Sequence, residues 1–335
     1  ARYDVATGQV VDGTAGVTLD REAAQFALDA ALNGETIQLP AEIVYPSVTA
    51  EELQAVLFRD LLSVCTTTVS GTSTRKNNVK LSGEAVNGTV LNDGDIFDYN
   101  QVVGRRTTEN GYGPAPSYIN GETVDSIGGG ICQTSSTLYL ASLLANLEIV
   151  ERYAHRYTPS YITMGMDATV SWGGPEFRFR NNTGYPIRID VSYENSEITV
   201  SIYGTKTDDI TVKMTREILS STGYQTEYVE TADLPWGTQQ QKQSGYTGYE
   251  VVSYRNLYDG DGNLISSTEE ARSSYKSRNE IILVGTAGRP DGTDPGTDPG
   301  TDPGGSTETG GGLDPGGETT PPEELPDDEP PGWLS

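Results

Sequence analysis

The sequence predicts an α+β protein: a mixed α/β core, then an extended all-β module, then an acidic Gly/Pro/Asp tail without fixed structure. Three observations carry this. Helix-periodic segments alternate with strand-like runs as far as Leu147, after which strand patterning takes over. Beyond Ile210 no helical periodicity occurs. From Gly292 the chain repeats Gly-Thr-Asp-Pro three times. There proline blocks ladder hydrogen bonds, glycine raises the entropy of ordering, and the aspartates repel one another.

The elements follow in order. Ala1-Arg2-Tyr3-Asp4-Val5 opens like the interior of a strand, so an upstream signal or anchor is expected to precede it. Gly16 to Asp20 leads into a helix from Arg21 to Leu32, with Asp20 as N-cap, Gly34 as stop, and Ala24, Leu28, Ala31 and Leu32 on one face. Glu35 to Leu39 alternates toward a strand closed by Pro40. A second helix is expected from about Thr49 to Leu62, opened by a Thr49/Glu52 capping box and ending near Cys65. Thr66 to Thr74, with Arg75 to Val79 after it, has loop chemistry. A third helix follows Cys132, where Leu138, Ala141, Leu144 and Ala145 share a face. Past Ile210, strands are expected over 210–214, 224–229, 249–255 and 280–284. Asp259-Gly260-Asp261-Gly262-Asn263 reads as a hairpin turn, since an EF-hand would need flanking helices and a downstream glutamate.

Composition narrows the function classes. The net charge is −26, so nucleic acid and anionic lipid are repelled, and neither is an expected partner. The segment from Thr286 carries twelve acidic residues against Arg289 alone, and the remainder still carries −15. No stretch is long and apolar enough to span a membrane. The two cysteines, Cys65 and Cys132, and the one histidine, His155, cannot build a disulfide scaffold or a four-cysteine zinc site. No cofactor or metal is expected.

The residues that bear chemistry cluster around Cys132. Gly128-Gly129-Gly130-Ile131 precedes it and a helical pattern follows, so the thiol meets the positive end of a helix dipole. Gly129 and Gly130 are candidate backbone donors to an oxyanion. His155 is expected at the start of a strand and Asp167 beyond it, as base and orienter in a Cys132–His155–Asp167 triad. That order is also the layout of transglutaminase-like cysteine hydrolases, an analogy of arrangement alone. The structural alternative stays open for each. Cys132 could be a buried thiol or paired with Cys65, a bridge that would add ~4 kcal/mol by loop-closure entropy. His155 could be satisfied in the core, Asp167 a turn residue, and the glycines a tight approach to a packed helix.

The ordered set from Arg75 to Gly204 resembles the VanW family. It comprises Asp95 to Asn100, Val103 to Thr107, Glu109 to Tyr112, Gly128 to Tyr139, Glu151 to His155, Gly165 to Val170 and Phe179 to Thr183. Asp93 and Asp98 replace the proline and serine usual there. The resemblance implies cell-envelope context and a cysteine at 132 kept without a partner at 65. It implies no particular reaction.

Before this block, residues 1–48 resemble the end of a peptidoglycan-binding domain that often precedes VanW modules. After it, Leu234 to Gly237, Gln243 to Gly248, Gly262 and Gly285 resemble the five-glycine (G5) domain of wall-associated proteins. The expected division is therefore 1–48, 49–205, 206–287 and a tail from 288. The G5 resemblance implies binding of peptidoglycan or another N-acetylglucosamine-containing polymer. Trp236, Tyr246 and Tyr249 are the candidate sugar-stacking residues, though the same aromatics would equally well pack a thin β module. Two functions follow for an extracellular, wall-attached Gram-positive protein: a module that binds and organises peptidoglycan, or a cysteine-dependent peptidoglycan hydrolase or acyl transferase.

Overall fold

The computed structural model describes residues 1–119 and 122–289. The expected tail lies almost wholly outside the described residues. Among the described residues, helices occur only before residue 145, where they are interspersed with strands, and strands alone follow residue 210.

Strands β1 (Arg2–Asp4) and β2 (Gln9–Val11) form a short hairpin. Strands β3 (Gly16–Leu19) and β4 (Ala41–Val44) pair antiparallel around helix α1 (Arg21–Ala30). The Asp20 carboxylate accepts the Ala23 N–H and starts α1 as expected. Ala24 is buried but Leu28 and Leu32 are exposed. The strand expected over Glu35–Leu39 forms instead after Pro40, as β4.

Helix α2 (Ala50–Val56) opens with the Thr49/Glu52 capping box. It stops six residues short of its expected end, because Phe58 takes φ 52° and turns the chain into strand β5 (Asp60–Thr68). Cys65 is therefore mid-strand. The misreading has a physical cause. In β5 the buried positions are Ser63, Cys65 and Thr67, while Leu61 and Val64 are exposed, so polarity runs against burial. The buried hydroxyls are satisfied by α5 neighbours: Ser63 donates to the Ala141 carbonyl at 2.7 Å, and Thr67 bonds the Thr137 hydroxyl at 2.8 Å. The expected loop around Arg75–Val79 is likewise helix α3 (Ser73–Val86), capped by Thr72.

The core continues through β6 (Thr89–Leu91), β7 (Ile96–Asp98), α4 (Tyr99–Val103), β8 (Pro114–Ile119), β9 (Glu122–Ile127), α5 (Cys132–Leu144), β10 (Glu148–Glu151), β11 (Arg178–Arg180), β12 (Ile187–Glu194) and β13 (Glu197–Gly204). Its main sheet is antiparallel, in the order β5-β13-β12-β6, and β10-β11-β7 form a smaller one. Helix α5 packs against β5 and β13 and is buried nearly all round. Its hydroxyls bond back into the helix, Ser136 to the Cys132 carbonyl at 2.7 Å and Ser142 to that of Leu138 at 2.8 Å. Among the described residues, no helix is long and apolar enough to cross a membrane.

The β module holds β14 (Thr211–Thr222), β15 (Thr226–Pro235), β16 (Gln239–Gln243), β17 (Gly248–Tyr258), β18 (Leu264–Tyr275) and β19 (Glu280–Ala287). They make two three-stranded sheets, β14-β17-β18 and β15-β19-β16, the second with β15 parallel to β19. The Asp259–Asn263 segment is the β17–β18 turn, as expected. The module packs on the core within one compact unit, residues 1–288. Arg255 bridges them, donating to the Leu147 carbonyl at 2.9 Å and pairing with Glu270 at 2.7 Å.

Candidate active site

Cys132 is the first residue of α5 and is delivered by the turn Gly128–Ile131. That turn is pressed against its neighbours. A Cβ on Gly129 would lie 2.2 Å from the Ala115 carbonyl oxygen, so only glycine fits. Buried Asn78 of α3 donates to the Gly113 and Gly129 carbonyls, both at 2.9 Å, and ties the turn to the helix. Gly129 spends its own N–H on the Ser126 carbonyl at 3.0 Å. It is therefore a packing residue rather than the oxyanion donor expected of it. Gly130 keeps an N–H without a backbone acceptor among the described residues.

The half-buried thiol faces residues 169–170. Its sulfur accepts the Val170 N–H at 3.5 Å and lies 3.7 Å from the Thr169 hydroxyl. His155 and Asp167 stand on the long irregular segment between β10 and β11, not on strands as expected. The transglutaminase-like layout is thus not reproduced. The three residues nevertheless converge. His155 donates from Nδ1 to Asp167 Oδ2 at 2.6 Å, and its backbone N–H reaches the same oxygen at 2.7 Å. With Nδ1 committed to a carboxylate, Nε2 is left for proton exchange. The Tyr161 hydroxyl lies 3.4 Å from Nε2.

Asp167 has no exposed surface. Its other oxygen accepts from Arg152 Nη2 at 3.0 Å and from the Tyr275 hydroxyl, so each oxygen accepts two hydrogen bonds. Arg152 is itself buried. It donates to the Asp167 carbonyl at 2.6 Å and lies over the Tyr139 ring. Arg152, Tyr161 and Tyr275 are residues contacting Asp167 or His155 that sequence reasoning did not single out. Arg152 lies inside the quoted Glu151–His155 motif, but nothing near Tyr275 marks it.

The electrostatics follow from this geometry. Burial opposes charge on all three groups, and specific contacts overcome it. The Cys132 thiol, raised by burial, is brought down to about 7 by hydrogen bonding and charge from His155, helped by Val170 and Thr169. His155, lowered by burial, is lifted to about 9 by Asp167 and Cys132. Asp167, raised by burial, is held at about 2 by His155, Arg152 and Tyr275. A thiolate–imidazolium pair is the consequence near neutral pH, and such a thiolate can attack an acyl carbon. Cys65 differs: it is free, buried, and pushed up to about 12 by burial. No disulfide joins it to Cys132.

The three aromatic candidates do not form one cluster. Trp236 is exposed, with its backbone N–H on the Ala287 carbonyl. Tyr246 stacks on Tyr157 of the core, with centroids 5.6 Å apart, which commits that ring to internal packing. Tyr249 lies half-buried in β17, paired with Tyr275 and Ser221. Two surface hollows, near Asp209–Lys213 and near Leu62–Asn146, are lined by no triad residue. Among the described residues, no group of His, Cys, Asp and Glu is arranged to hold a metal.

Comparison with known proteins places these features. Residues 74–203 match the family described as VanW like protein, and residues 210–287 match the G5 domain. The chain is 38% identical over 199 residues to the protein YoaR of Bacillus subtilis (strain 168), covering 58% of this chain and 66% of that one. It is 28% identical over 134 residues to the vancomycin B-type resistance protein VanW of Enterococcus faecalis (strain ATCC 700802 / V583), covering 38% and 49%. It thus spans less than two thirds of either relative. Among solved structures, the G5 domain of IgA1 protease is 23% identical and covers 24% of this chain and 96% of that one, at a TM-score of 0.17. A likeness that slight carries no argument.

Proposed function

Because the chain is a VanW-like domain followed by a G5 domain, we propose that it is a cell-wall-associated, cysteine-dependent acyl-transfer enzyme acting on peptidoglycan outside the cell. The observation that carries the reading is the buried relay Asp167–His155 beside a thiol drawn down to about 7. Structural cysteines in apolar surroundings are pushed the other way, as Cys65 is.

In this reading the Cys132 thiolate attacks the carbonyl carbon of an amide, forming a carbon–sulfur bond. Protonated His155 gives its proton to the departing amine as the carbon–nitrogen bond breaks. Neutral His155 then takes a proton from water or a second amine as it attacks the thioester carbonyl; the carbon–sulfur bond breaks and the thiolate–imidazolium pair is restored. Asp167 stays ionised and holds the imidazole in place. The G5 domain supplies affinity for an N-acetylglucosamine-containing polymer, with exposed Trp236 as the candidate stacking residue.

The test is the muropeptide profile of purified sacculi treated with wild type or Cys132→Ala. Wild type is expected to change the stem-peptide products. Cys132→Ala is expected to leave them unchanged while still sedimenting with the sacculi. Equal profiles from the two proteins would leave the binding role and remove the enzyme.

A further inference from the structure

We propose that Tyr275 of the C-terminal β module is a positioning residue for the triad: its hydroxyl fixes Asp167, and through it His155, so that core and β module form one catalytic unit. The inference rests on the acyl-transfer reading above and extends it to a residue 108 positions from Asp167.

The argument begins with where the triad's partners lie. His155, Asp167, Thr169 and Val170 all belong to the irregular segment between β10 and β11. No sheet ladder holds that segment: besides local backbone bonds such as the Thr169 N–H to the Tyr153 carbonyl at 2.8 Å, it depends on contacts from elsewhere in the chain. The end of β18 supplies them. The Tyr275 hydroxyl donates to Asp167 Oδ1 and accepts the Gly165 N–H at 2.7 Å, spanning both ends of the 165–167 turn. Ser273 accepts Arg152 Nη1 at 2.9 Å and thereby orients the other donor to Asp167. The Lys276 N–H donates to the Arg156 carbonyl at 2.8 Å, next to His155. Tyr275 is itself 2% exposed, so these bonds form out of contact with water.

Removing the Tyr275 hydroxyl leaves the Gly165 N–H and one Asp167 lone pair without a partner in a buried place. The segment then loosens. Because Thr169 and Val170 touch the sulfur directly and His155 is held by Asp167, the thiolate loses its support.

The experiment is the rate of iodoacetamide alkylation of Cys132 against pH, in the full chain, with Cys132→Ala as the blank. Wild type is expected to show a midpoint near 7. Tyr275→Phe, folded by circular dichroism, is expected to raise the midpoint by half a unit or more, so alkylation at pH 6 falls at least about threefold. Ser273→Ala is expected to move it in the same direction by less, and it decides the matter if Tyr275→Phe does not fold. Ser266→Ala, at the far end of β18, should leave it in place. A wild-type midpoint near the ordinary thiol value of 9.0 overturns the triad reading, and this inference with it. A low wild-type midpoint that is unmoved or lowered in the folded variants overturns this inference alone.

Discussion

Asp167 carries a full charge with no exposed surface, which a protein tolerates only when hydrogen bonds replace the lost water. Four donors do so here, two from His155 and one each from Arg152 and Tyr275. Asp167→Asn keeps the shape but leaves Arg152 buried without its counter-charge, so denaturant unfolding should report a loss of about 3–5 kcal/mol. The pH dependence has a definite sign. Asp167, depressed to about 2, stabilises the fold above its ordinary 3.8, and this is lost as pH falls through 2. His155, raised to about 9, contributes below its ordinary 6.5 and loses this as pH rises through 9. Cys132, lowered to about 7, contributes above 9.0 and loses this as pH falls through 7. Thiolate and imidazolium therefore coexist between about 7 and 9. Turnover of peptidoglycan should be bell-shaped across that window, and a rate still rising well above pH 9 would remove His155 as the proton donor.

At the scale of elements, α5 and the turn before it place the Cys132 thiol. The turn is held from outside, by Asn78 of α3 and by the close passage of Gly129 beside β8. Gly129→Ala drives a methyl into the Ala115 carbonyl, and neither backbone can yield without breaking the Asn78 bonds. We expect a loss of roughly 2–4 kcal/mol in urea unfolding and a rise in solvent reactivity at Cys65, whose strand packs on α5. Wild-type stability in that variant would mean the turn is not held as described. The element was half legible in sequence. The three glycines and the helical run after Cys132 are visible, whereas α3, with Asn77, Asn78, Ser82 and Gly83, carries no apolar stripe to announce a helix. Its polar residues are spent on bonds to partners far along the chain.

For the whole molecule, the junction between core and β module is polar and buried rather than a loose linker. Arg255 is one of its contacts, bonded to Asn146 and Leu147 of the core and to Glu270 of the β module, and nearly out of solvent. Arg255→Ala removes the partner of Glu270 and of the Leu147 carbonyl. Calorimetry should show one transition for wild type, and for the variant a lower or split transition with a loss of about 2–3 kcal/mol. A variant that melts like wild type would show that the two parts unfold independently of this contact.

What the sequence determined alone is what depends on neighbours within a turn or a strand. That includes the caps at Asp20 and Thr49, the helix after Cys132, the strand-only character of the described residues past Ile210 and the motif order from Arg75 to Gly204. Caps and periodicity are local, so they survive without knowledge of the fold. The tertiary structure decided the rest. It made β5 a strand, because pairing with β13 outweighs an apolar run that reads as helix. It brought His155 and Asp167 to Cys132 from a segment with no periodicity to read, and it completed the Asp167 shell with Tyr275 from the other module. A buried carboxylate needs donors from every side, and chain connectivity cannot supply them from sequence neighbours alone.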